Sequence, residues 1–117
     1  MTIDGEELNA ELTTMTDWHT DRIAQIAAQT AVADRSSAVL VVVNPLSRLV
    51  VDPERFTDDS EPMAAVGMGA VYTRCADGSV LRNPDAVRDA SLIARYFEPY
   101  ATAIAASLHG LDVDLVR

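Results

Sequence analysis

The chain has 117 residues, 49% of them hydrophobic, and a formal net charge of −9, which fits one domain with a core of its own. So acidic a surface disfavours nucleic acid and anionic membrane as partners, and no apolar run approaches the ~18 residues of a membrane helix. All nine basic residues are arginine, which excludes a lysine nucleophile, a Schiff base and a P-loop lysine.

Residues 5–15 are expected to form a short acidic helix, with Leu8, Leu12 and Met15 on one stripe. Glu6 and Glu7 stand near its start, where the helix dipole favours negative charge. The opening MTIDGEELNAEL lacks the basic n-region of a signal peptide, so a cytoplasmic protein is expected. A second helix is expected over 17–33, capped by Thr16 or Asp17, with Ile23, Ile26, Ala27 and Thr30 as its apolar stripe. Its first turn, TDWHTD, gathers Asp17, His19 and Asp21. Two readings fit them: capping within a solvated first turn, or part of a metal or hydrolytic site, although the spacing is not a strong ligand motif.

After a polar connection at 33–37, residues 38–43 (AVLVVV) read as a strand buried on both faces. Helix followed by buried strand predicts an α/β layered fold. The segment 44–74 then packs three arginines, five acids and the sequence GMG into 31 residues. Charge of this density just after a buried strand marks a working loop. Arg48 and Arg55 can each fork onto a carboxylate. Alternatively they pair with Asp52 and a neighbouring acid as structural ion pairs. GMG is not a nucleotide-binding fingerprint, and its glycines suit a tight turn or a close backbone approach.

Residues 71–74 and 80–81 read as a short hairpin around Ala76-Asp77-Gly78-Ser79. On such a strand Tyr72 and Arg74 share a face, as ligand contacts or as a surface pair. Cys75, the single cysteine, excludes an internal disulfide and is read as a packing residue. Asn83-Pro84-Asp85 starts a helix expected over 84–109. Its stripe is Val87, Ala90, Ala94, Phe97, Ala101, Ile104, Ala105 and Leu108, and Pro99 should kink or split it. Gly110 is a candidate C-cap and 111–117 a candidate edge strand. The thin strand inventory predicts association with another chain, a homo-oligomer being expected.

Several stretches together resemble the N-formylglutamate amidohydrolase family: SRLVVDPERF (47–56), EPM (61–63), VGMGAVYTR (66–74), TDWHTD (16–21) and ARYFEPY (94–100). The resemblance implies a hydrolase that cleaves the formyl amide of N-formyl-L-glutamate to formate and glutamate in histidine degradation. It implies zinc as cofactor and a small anionic acyl-amino acid as partner. The fold it implies is similar to zinc carboxypeptidases and aspartoacylases. That is a three-layer α/β/α sandwich, here partial, with helices 5–15, 17–33 and 84–109 around a small sheet.

Asp52-Pro53-Glu54-Arg55 looks like the D-x-N-R motif of those relatives with Glu in place of Asn. By resemblance Arg55 faces the substrate, joined by Arg48, Tyr72 and Arg74. The same resemblance makes Asp17 the first metal-ligand candidate, with His19 and Asp21 behind it. The H-x-P-H-S and D-x-H-S motifs expected of the family are not in this sequence, whose two histidines are His19 and His109. A single truncated domain over 1–117 is therefore expected, lacking most of the metal centre. The alternative is an inactive remnant that binds an acidic ligand or serves as an oligomeric interaction domain.

Overall fold

A computed structural model describes residues 3–33 and 39–109. The chain divides into two compact units, Met1–Met15 with Leu46–Arg117, and Thr16–Pro45. In the first unit α1 (Gly5–Met15) has the expected bounds. Asp4 caps it, its carboxylate accepting from the Glu7 N–H at 2.8 Å and its carbonyl from the Leu8 N–H at 3.0 Å. The stripe Leu8, Leu12 and Met15 packs, with Ile3 and Met68, on the core residues Leu49, Tyr72, Cys75 and Leu81. The Glu11 carboxylate accepts from the Ala76 N–H at 2.7 Å and ties the helix to a turn 65 residues away.

The segment after Leu46 is a set of tight turns rather than strands. Ser47 closes the first, accepting the Leu49 N–H on its hydroxyl and the Val50 N–H on its carbonyl. That turn buries Leu49 and Val51. A short 3-10 helix, Pro62–Val66, is capped by Glu61 and ends at Gly67, whose φ of 75° favours glycine. A Cβ there would also run into the stem of Arg74. The chain then turns back on itself around Gly78, and Arg74 and Val80 form one isolated antiparallel bridge.

Helix α3 (Ala86–Leu92) starts at Asp85, whose carboxylate accepts the Arg88 N–H. It continues through a π-helical turn, Ile93–Phe97, into α4 (Glu98–Leu108). The π turn sits just before Pro99, which lacks the N–H for the Arg95 carbonyl. The Glu98 N–H reaches back five residues to Ile93, which carries the helix past the proline without a break.

The second unit contains α2 (Thr20–Ala33). It starts three residues later than expected, because His19 has a left-handed φ of 67°.

The three-layer α/β/α sandwich is overturned: helix makes up 52% of the described residues and strand 2%, with no sheet among them. The run read as a buried strand is the clearest departure. Val39, Leu40, Val42 and Val43 are exposed, Leu40 by 59%, and have no strand neighbour among the described residues. A strand requires a pairing edge, and the short hairpin supplies only one bridge. The apolar stripe of 84–109 is not a core face either, since Val87 is 83% exposed and no residue of these helices is fully buried. The Gly110 cap, the 111–117 strand and the connection at 34–37 lie outside the described residues. No helix among the described residues is long and apolar enough to cross a membrane.

Candidate functional site

The first unit's polar centre is Asp52, 1% exposed. Its N–H donates to the Ala70 carbonyl at 2.8 Å, which seats it beside the segment that carries Tyr72. Its Oδ1 accepts the Glu54 N–H at 3.0 Å, the side-chain turn an aspartate makes with the residue two ahead. Its Oδ2 accepts the Tyr72 hydroxyl at 2.7 Å and lies 3.7 Å from Arg55 Nε. Arg55 Nε donates to the Met68 carbonyl at 3.1 Å, and Nη2 to the Tyr72 oxygen at 3.4 Å. Tyr72 is fully buried. Burial, and then the bond to Asp52, push its phenol above the usual range, with Arg55 opposing.

Of the arginines expected to face a ligand, Arg55 thus meets Tyr72 directly and remains 20% exposed at its side chain. Arg74 is exposed, with its stem against Gly67 and its Nη1 at 3.4 Å from the Gly78 carbonyl. Arg48 is half-buried and engaged. Tyr72 and Arg74 do not share a face, because no strand forms there and Tyr72 is sealed inside while Arg74 stands outside.

A cleft of about 340 Å³ opens against Gly67 and Gly69, beside Phe56, Glu61, Thr73 and Asp89. Its charged walls are acidic, so it disfavours an anion, and the expected arginines do not line it.

Asp17, His19 and Asp21 belong to the second unit, and all three are exposed. The Asp21 carboxylate accepts the Arg22 N–H at 2.8 Å. The His19 ring lies 6.5 Å from Trp18, tilted by 53°. The described residues hold no group of three or more His, Cys, Asp or Glu able to take a metal ion. The donor set present among them therefore does not fit a catalytic zinc, which needs three protein ligands.

A family model for N-formylglutamate amidohydrolase matches residues 3–114. The chain belongs to the N-formylglutamate amidohydrolase family. Neither a curated protein nor a solved structure matches it. The Asp52–Tyr72–Arg55 network lies within the residues matched to this family.

Of three buried charged groups among the described residues, the sequence raised Asp52 as an ion-pair partner for an arginine, but not Glu61 or Arg82. Asp52 anchors the network above. Glu61, 7% exposed, accepts the Phe56 and Met63 N–H groups at 2.8 and 2.9 Å. Its signal was available, since an acid directly before Pro62 is a helix-capping pattern. Arg82 is 6% exposed, donates from Nη2 to the Leu49 carbonyl, and has a buried Nε with no hydrogen-bond partner. Burial, and then Arg88, lower its pKa, with Asp89 opposing. Only the fold, which brings residues 49 and 82 together, reveals it.

Proposed function

We propose that this chain binds the carboxylate of a small acidic N-acyl amino acid at Arg55, N-formyl-L-glutamate being the first candidate. The observation that carries the reading is the partly exposed, network-held Arg55 guanidinium in a chain of this family. A planar guanidinium matches a carboxylate with two parallel hydrogen bonds, which a surface of net charge −9 otherwise repels. The reaction that the family's name describes is hydrolysis of the formyl amide. Water adds to the formyl carbon, the C–N bond breaks, and formate and glutamate leave.

A second reading, ligand binding without hydrolysis, is favoured by one observation: no metal-ligating cluster forms among the described residues. The test is calorimetric titration with N-formyl-L-glutamate, together with a formate-release assay in the presence and absence of added zinc. Binding with zinc-dependent formate supports the hydrolase. Binding without formate supports the second reading. No binding of N-formyl-L-glutamate overturns the Arg55 reading.

A further inference from the structure

Resting on that reading of Arg55, we propose that Tyr72 and Asp52 are positioning residues, which fix the Arg55 guanidinium from behind and present its outer fork end-on to a carboxylate. The direction of every bond follows from what each group can do. Arginine only donates and an ionised aspartate only accepts. The Tyr72 hydroxyl between them therefore accepts from Arg55 Nη2 and donates to Asp52 Oδ2. Met68 adds a second fixed point by accepting the Nε–H.

Of the five guanidinium hydrogens, this network uses the one on Nε and one on Nη2. Both hydrogens of Nη1 and the second of Nη2 are left, and one from each nitrogen forms the fork that takes a carboxylate with two parallel bonds. The anchors are well suited to the work. Tyr72 is 0% and Asp52 1% exposed, so water does not compete for their bonds. Asp52 is itself held by the Ala70 carbonyl and the Glu54 N–H. A long arginine side chain otherwise loses much of its rotamer freedom when it binds. Fixing it in advance lowers that cost.

The test uses the full chain and compares wild type, Tyr72→Phe and Arg55→Lys. Two quantities are read for each: affinity for N-formyl-L-glutamate by calorimetry, and the water-exchange rate of the Arg55 Nε–H by nitrogen-15 NMR without ligand. Thermal midpoints run alongside. Tyr72→Phe keeps the buried ring and removes only the hydroxyl, so its affinity should fall about tenfold, the loss of one ordinary hydrogen bond. Its Arg55 Nε–H should exchange faster than in wild type. Arg55→Lys, which keeps the charge without the fork, should lose more affinity than Tyr72→Phe.

A wild type that binds, with Tyr72→Phe matching it in affinity and exchange, overturns the positioning role and leaves the binding reading intact. A wild type that does not bind overturns the binding reading, and the positioning role falls with it. Should Tyr72→Phe not fold, Asp52→Asn takes its place, with the same expected loss and the same refuting result.

Discussion

The buried Arg82 gives a stability prediction whose sign runs against intuition. Replacing it by methionine, of similar length and apolar, should stabilise the protein. The guanidinium contributes one hydrogen bond, from Nη2 to the Leu49 carbonyl. Losing it leaves a buried acceptor unpaired, at a cost of about 1–3 kcal/mol. Against this stands a desolvated charge with an orphaned Nε and no carboxylate of its own. Asp89 is 2.8 Å from Arg88 and serves that residue instead, while Arg88 repels Arg82. Removing an unpaired buried charge relieves several kcal/mol. The net expectation for Arg82→Met is a gain of about 1 kcal/mol or more, because relieving the unpaired charge outweighs the lost hydrogen bond.

Arg82→Lys should go the other way. It keeps a charge that is more strongly hydrated and shortens the reach to Leu49, so about 1–3 kcal/mol should be lost. Urea unfolding followed by far-UV circular dichroism reads both. With a slope of 1–3 kcal/mol per molar urea, a change of about 2 kcal/mol moves the midpoint by roughly 1 M. A methionine variant less stable than wild type by more than about 1 kcal/mol, at unchanged slope, would refute the reasoning. It would mean that the guanidinium is compensated.

Three further outcomes follow from the same geometry. The folded state raises the Tyr72 phenol above its usual pKa of 10.0, so it keeps a proton that the unfolded state releases first. The stability this gives is complete below about pH 10 and is lost as pH rises through the folded value. Urea midpoints should fall above about pH 10, and Tyr72→Phe should flatten the fall; equal slopes in the two proteins would sink the idea. Leu81→Ala, at a fully buried core position, should cost about 2–5 kcal/mol. Val87→Ala on exposed helix surface should stay within about 0.5 kcal/mol, and similar losses at both would contradict the assigned core. Gly67→Ala should be worse than Gly78→Ala by more than about 1 kcal/mol, because both have positive φ but only Gly67 lies against the Arg74 stem. Matching thermal midpoints would show that this close approach is not maintained.

What the sequence revealed was local. Helix α1 was legible because its signals, the acids Glu6 and Glu7 near its start and the stripe Leu8, Leu12 and Met15, act within one helix. The long C-terminal helix was legible for the same reason. Its proline, expected to kink or split the helix, is instead accommodated by a π turn and the helix runs on. Arg55 was legible through the motif around it. The Tyr72 bond behind it was not, and neither was Arg82, since Tyr72 reaches Asp52 across 20 residues and Arg82 reaches Leu49 across 33. No spacing rule encodes contacts of that kind.

The failed strand makes the same point in reverse. A β-branched apolar run records what its side chains prefer, but a strand exists only as one member of a pair, and residues 39–43 have no partner strand among the described residues. Where β structure was expected, buried polar bonds hold the chain instead. Asp52, Glu61 and Arg82 each take up backbone groups in or beside these turns: the Glu54, Phe56 and Met63 N–H groups and the Leu49 carbonyl. In a unit whose buried apolar residues are Leu49, Val51, Ala70, Tyr72, Cys75 and Leu81, the charged side chains are structural members. One of those same networks also supports the candidate ligand-binding arginine. Substitutions at Asp52 or Tyr72 should therefore be read through stability and binding together, because a loss of either alone separates the two roles.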